Sequence, residues 1–168
     1  MSVRALSVVS MMLLLVSAGC TRKKEIRTAQ MGDKAEIGPF TYEAIETRWP
    51  MSLEGRSAKD RFLIVHISIF NSSGEDQNIP GFEVVDDSGN IYPESADGTG
   101  VQQWLGVVRK LPASQTEEGN IVFDVPPKHY NLKVADPNDN FMYIDIPLNL
   151  TTEEPESKKI DGITPVQK

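Results

Sequence analysis

The chain has a single cysteine, Cys20, among its 168 residues. Without a second thiol there is no intrachain disulfide and no cysteine-based metal centre, whatever the redox state of the compartment. The fold must be held by packing. Histidine is almost as scarce: His66 and His129 are the only imidazoles, and neither stands in a metal-binding spacing such as H-E-x-x-H. There is no G-x-S-x-G turn, no glycine-rich phosphate loop and no histidine whose sequence context suggests a serine partner. Carboxylates are plentiful, but nothing selects two of them as a glycosidase pair. The residues therefore point to no enzyme and to no cofactor. Beyond residue 20 the methionines, Met31, Met51 and Met142, are scattered, which argues against a His/Met copper carrier and for packing roles. Long apolar runs are missing too. The best one, residues 5–16, falls short of the roughly 20 residues a helix needs to cross a bilayer.

That run has the proportions of a secretory signal instead. Arg4 supplies a positive start, residues 5–16 an apolar centre, and Ala18-Gly19 a small-residue cleavage site directly before Cys20. Val16-Ser17-Ala18-Gly19-Cys20 resembles the lipobox of bacterial lipoproteins, with Ser17 where that motif usually carries Leu. The resemblance implies a signal peptide at residues 1–19 and a diacylglyceryl (palmitate-type) lipid on Cys20. It also implies an extracytoplasmic protein whose first partner is the membrane itself. In a Gram-negative cell Thr21, being a residue other than Asp, implies the outer membrane. A plain secretory signal and an uncleaved membrane helix are the competing readings, the second disfavoured by length.

Positive charge is rare in the body of the chain. Residues 31–150 hold nine basic and 19 acidic side chains, a net of −10, whereas residues 21–30 hold Arg22, Lys23, Lys24 and Arg27 against Glu25 alone. An acidic body is repelled by nucleic acid, which excludes that class of partner. The basic stretch beside a lipid anchor can favour an anionic membrane surface or serve only solubility. Residues 20–30 read as a lipidated cysteine and flexible basic tether, and residues 151–168 as a disordered polar tail. Residues 31–150 are left for one domain with one core.

Within that domain the apolar period is two. Leu63, Val65, Ile67 and Ile69 share one face of a strand, with Ile64, His66 and Ser68 on the other, and Asn71-Ser72-Ser73-Gly74 closes it. Ile121, Phe123 and Val125 alternate likewise until Pro126-Pro127 forbids continuation. Residues 40–49, 132–134 and 142–146 read as further strands. Residues 84–92 read as a hairpin, with Gly89 or Asn90 at positive φ. Only residues 101–110 could supply a helical turn, and Gly106 weakens it. Short strands separated by turn signals at this spacing predict an all-β, antiparallel sandwich.

Four segments occur in order: Gly38-Pro39-Phe40-Thr41-Tyr42, then Arg61-Phe62-Leu63-Ile64-Val65 running into Asn71, then Asp86-Asp87-Ser88-Gly89-Asn90-Ile91-Tyr92-Pro93, and Phe123-Asp124-Val125-Pro126 with Tyr130 and Leu132. Through them the chain resembles a bacterial domain-of-unknown-function family of secreted and lipid-anchored immunoglobulin-like sandwiches, related to a mycobacterial secreted immunoglobulin-like antigen. The resemblance implies an immunoglobulin-like β-sandwich over residues 31–150 and an extracytoplasmic setting. It implies no reaction.

Three candidate sites remain. Trp104 and Leu105 follow Asp97-Gly98-Thr99-Gly100, which reads as mobile. A Trp there either anchors an interface with another envelope or secreted protein or covers the end of the core. The acidic turns at Asp86 and Asp87, and at Asp136 and Asp139, offer hard oxygen ligands and so a metal-ion or small-ligand alternative. However, Phe141 and Pro147 stand where an EF-hand needs Gly and Glu, and such residues commonly just cap turns. His66 reads as a cross-strand or solvent-facing residue and His129 as an exposed turn residue. The function expected is a non-enzymatic binding or accessory module of the cell envelope.

Overall fold

The computed structural model of the protein describes residues 27–150. The signal, Cys20, most of the basic tether and residues 151–168 lie outside the described residues. In chain order the strands are β1 (Thr28–Gln30), β2 (Ala35–Ile37), β3 (Phe40–Arg48), β4 (Ser52–Leu53), β5 (Arg56–Ser57), β6 (Phe62–Asn71) and β7 (Gln77–Asn78). They continue with β8 (Glu83–Asp86), β9 (Ile91–Pro93), β10 (Lys110–Leu111), β11 (Thr116–Asp124), β12 (Tyr130–Ala135) and β13 (Phe141–Ile146). One sheet has the order β11-β6-β3-β2, the other β1-β13-β12-β8-β9, and two small ribbons pair β10 with β7 and β4 with β5. The result is the expected β-sandwich, and no helix occurs among the described residues.

The period-two pattern explains the layers. Leu63, Val65, Ile67 and Ile69 on β6 are fully buried, as are Ile121 and Phe123 on β11. They pack against Leu132 and Val134 of β12 and Ile144 and Ile146 of β13 in one core. Each such side chain contributes roughly 1.5–3 kcal/mol on burial. Two phenols brace the layers. Tyr42 on β3 donates its hydroxyl to the Ala135 carbonyl on β12 at 2.7 Å, bonding one sheet to the other. Tyr130 donates to the Pro126 carbonyl four residues upstream, also at 2.7 Å, the arrangement of a tyrosine corner in immunoglobulin-like sandwiches. Trp49 stacks on the Tyr130 ring at 6.2 Å, and Tyr92 meets it edge-on at 5.7 Å.

The turns behave as their residues dictate. Asn71 is buried at the end of β6, where its side-chain amide donates to the carbonyls of Glu75, Leu111 and Pro112 and its oxygen accepts from the Ser73 amide. Those bonds end the strand. Gly89 takes the positive φ of the β8–β9 turn, at 82°.

The structure departs from the sequence reading in four places. The basic tether ends earlier than residue 30, because Thr28–Gln30 forms β1 and pairs parallel with β13. Backbone bonds hold this short edge strand, so it shows no apolar period. That pairing is also the one parallel ladder among sheets expected to be antiparallel throughout. Residues 101–110 make no helical turn, and the left-handed φ of 73° at Gly106 is incompatible with one. Finally, the face of β6 opposite the main core is not open to solvent near its start. Phe62, Ile64 and Val122 form a second buried cluster with Leu53, covered by Val101 and Trp104.

Candidate functional site

The connection from Glu94 to Leu111 is the longest departure from the sheets, and the structure pins it at several points. At its base the Arg109 guanidinium grips the Glu94 carboxylate with both terminal nitrogens, Nη1 to Oε1 at 3.1 Å and Nη2 to Oε2. The Arg109 side chain is 0% exposed and that of Glu94 7%. The guanidinium also lies 5.0 Å over the Phe82 ring, and Glu94 Oε1 accepts the Phe82 amide at 2.9 Å. This is a buried, bidentate, charge-assisted pair, the strong class of hydrogen bond. A few residues after Glu94, Arg56 from β5 reaches the Asp97 carboxylate at 2.5 Å and the carbonyls of Asp97 and Thr99. The Thr99 amide and then Arg56 hold the Asp97 carboxyl below the ordinary carboxylate value. The glycine stretch expected to be mobile is thus clamped. Gly98 is buried because the Trp104 ring lies against it: a Cβ there would sit 1.9 Å from Trp104 Cδ2.

Trp104 and Leu105, the candidate partner residues, are half-buried. Trp104 packs on the second cluster and Leu105 on the main core. Their backbone closes the free edge of β11: Leu105 N donates to Asn120 O, Asn120 N to Gln103 O, and Asn120 Nδ2 to Gln102 O at 2.7 Å. Gly119 leaves room for this, since a Cβ would meet Gln103 O at 2.5 Å. Bonding the middle of this nine-residue edge strand interrupts a template for unwanted strand pairing. The large apolar residues this connection shows to solvent are Val107 and Val108, the latter 93% exposed.

The two acidic turns are built alike. Asp86 Oδ1 accepts the amides of Ser88 and Asn90, while Oδ2 accepts Asn90 Nδ2 and Lys128 Nζ at 3.0 Å. Asn90 above all, with Lys128 and Ser88, keeps the Asp86 carboxyl far below its usual value despite burial. Asp136 Oδ1 accepts the amides of Asn138 and Asn140 and Oδ2 accepts Asn140 Nδ2. Burial raises its pKa, but the Asn140 and Asn138 bonds outweigh burial and leave it lowered. Asp87 is exposed and paired with His129 at 2.8 Å, and Asp139 occupies a left-handed turn position at φ 60°. The lone pairs of Asp86 and Asp136 are directed at turn amides, which is the capping role of such residues. Among the described residues no group of three or more His, Cys, Asp or Glu could hold a metal ion.

Both histidines bridge two acceptors. His66 on β6 faces Asn120 Oδ1 at 3.2 Å and Glu118 Oε1 at 2.9 Å across the β11 ladder, the cross-strand position expected of it. His129, directly before β12, faces Asp87 Oδ1 and, at 2.5 Å, Asp145 Oδ1. A shallow concavity of about 380 Å³ on the outer face of the β2-β3-β6-β11 sheet is lined by Lys34, Glu36, Glu43 and Phe70. The residues sequence reasoning passed over are Arg109, Glu94 and Arg56. Their spacing carries no signal, because the first two stand fifteen positions apart along the connection. Gly98 and Gly119 were legible as glycines but not as the seats of Trp104 and Leu105.

A family model described as "Domain of unknown function (DUF4352)" matches residues 29–142. No curated protein matches the chain in sequence. Among solved structures it is similar to the yjhA protein from Bacillus subtilis, with a TM-score of 0.55 and 16% identity over 71% of this chain and 99% of that one. It is similar to ycdA from Bacillus subtilis, described as a candidate lipoprotein, with a TM-score of 0.53 and 14% identity over 68% of this chain and 38% of that one. It is also similar to the secreted protein MPT63 from Mycobacterium tuberculosis, with a TM-score of 0.53 and 11% identity over 73% and 97%. At these identities the likeness is one of fold.

Proposed function

The chain belongs to the DUF4352 family, and from that premise we propose that it is an extracytoplasmic lipoprotein. In this reading the chain is anchored through a diacylglycerylated Cys20 and acts as a non-enzymatic binding or accessory module toward another envelope or secreted protein. The observation that carries the reading is Cys20 itself, the only thiol of the chain, standing directly after an apolar signal-length run and Ala18-Gly19. The secreted and candidate-lipoprotein structures of the same fold support the setting. The engagement of His66, His129, Asp86 and Asp136 in turn and cross-strand bonds supports a role without catalysis. The contact offered to a partner is the Val107-Val108 tip of the pinned connection, an apolar point presented on a rigid base.

Metabolic labelling with a palmitate analogue, followed by membrane fractionation of the parent and Cys20→Ala, tests the anchor. One acyl chain gives only marginal membrane binding, whereas a diacylglyceryl group holds. The parent should carry label and stay in the carbonate-washed pellet, and Cys20→Ala should lose both. Retention of Cys20→Ala in the pellet, with no label on the parent, would sink the proposal. In-cell crosslinking then tests the contact. Val108→Asp should cut partner recovery while leaving stability within about 0.5 kcal/mol of the parent, as for an exposed side chain.

A further inference from the structure

His129 joins three elements that are distant in sequence. It directly precedes β12, while Asp87 lies in the β8–β9 turn and Asp145 near the end of β13. Its Nδ1 stands 2.8 Å from Asp87 Oδ1 and its Nε2 2.5 Å from Asp145 Oδ1. A neutral imidazole has one N–H and one bare lone pair, so it can donate to only one of these oxygens and must turn its lone pair toward the other. Only the imidazolium donates to both. Two carboxylates drawn to one ring, with nothing but a proton to reconcile them, form a closure whose completeness depends on that proton.

We propose that His129 is a proton-operated latch fastening the β8–β9 hairpin to the end of β13. The latch is closed when the ring is protonated and releases the hairpin tip when it is neutral. The hairpin it holds is the outer edge of the five-stranded sheet, since β9 pairs with β8 alone, and its first residue, Ile91, is 58% exposed. The charged groups around the ring are Asp87 from the turn, Asp145 from β13 and, on its own segment, Lys128. Lys128 is drawn off to Asp86 at 3.0 Å and so leaves the two aspartates to the imidazole. Asp145 first and Asp87 second raise the pKa of His129 above its ordinary value of 6.5. The sign follows from that direction. A raised folded-state pKa makes the latch complete below the ordinary histidine value, and the contribution is lost as pH rises through the raised one. The device belongs to the domain and does not depend on lipidation. In an extracytoplasmic protein, whose surroundings set the pH, it would hold the sheet edge fixed below the raised pKa of His129 and leave it mobile above.

Hydrogen exchange of the full chain, followed by mass spectrometry between pH 5 and 8 and corrected for intrinsic exchange, reads the latch directly. Protection of the segment 86–92 should fall roughly three- to tenfold as pH rises through the His129 titration, the worth of one charge-assisted bond at a half-exposed site. A segment within β6 should not change. In His129→Gln, which donates from one side and does not titrate, the 86–92 profile should be flat. Because the chain holds only two histidines, the His129 ring proton can also be titrated by NMR in the unaltered protein, which needs no variant to fold. It should titrate above 6.5. A ring titrating at or below 6.5, or the same pH profile in parent and His129→Gln, overturns the proposal.

Discussion

Removing either member of the Arg109–Glu94 pair should destabilise the domain more than removing both. Breaking a buried ion pair leaves an uncompensated charge and costs about 3–5 kcal/mol, whereas replacing both members by apolar groups of similar volume is often neutral or better. Here Glu94 has a second task, accepting the Phe82 amide. The double replacement therefore strands one buried N–H, at about 1–3 kcal/mol. Arg109→Met alone should lose about 3–5 kcal/mol, and Glu94→Met somewhat more, because it strands both the guanidinium and the amide. The double variant should lose only about 1–3 kcal/mol. For a domain of this size each kcal/mol moves the melting temperature by roughly 3–6 °C, so the single variants should melt about 10–25 °C below the parent and the double variant above both. Thermal and urea unfolding by circular dichroism, run as a double-mutant cycle, measure the coupling. Additive losses, with the double variant melting lowest, would refute the reasoning, as would an Arg109→Met protein that melts with the parent.

Three further variants probe the packing. Ile67→Asp places an unpaired carboxylate at a fully buried position of β6, at several kcal/mol. That is comparable with the whole stability of a small domain, so the purified variant should show no cooperative melt, and a parent-like transition would contradict the register of β6. Trp104→Ala should lower the melting temperature by ten degrees or more, because the ring is part of the second cluster and truncating a packed Trp costs roughly 3–5 kcal/mol. Gly98→Ala, which must push the same ring away, should do likewise. A Trp104→Ala protein as stable as its parent would instead make Trp104 a surface anchor.

The sandwich was legible in the sequence because its information lies in neighbours: Leu63, Val65, Ile67 and Ile69 share one face with His66 and Ser68 between them on the other, and proline, glycine and asparagine punctuate the ends. β1 was not legible, since a three-residue edge strand held by backbone bonds needs no apolar pattern. The second cluster escaped for a related reason. Ile64 and Val122 sit on the outer side of their strands by period, and only the packing of Leu53 and of the Glu94–Leu111 connection over them decides that they are buried. The pairing of Arg109 with Glu94 and the meeting of His129 with Asp87 and Asp145 are products of topology. No spacing rule could have joined β8, β12 and β13 at one imidazole. The acidic turns, by contrast, were correctly seen as turns, and their ligand-like composition is spent on their own amides.

The parallel rungs Thr28–Tyr143, Ala29–Ile144 and Gln30–Asp145 have a mechanical meaning. Parallel terminal strands send the two ends of the domain toward opposite poles, so a pull between the start of β1 and a grip near residue 150 loads these three rungs together in shear. An antiparallel pairing would instead unzip one rung at a time. Only Ala29 of β1 reaches the main core, so the strand can leave when the rungs yield without opening the sandwich. Under tension β1 therefore works as a fuse: it carries load up to a threshold, gives once, and spares the rest of the fold.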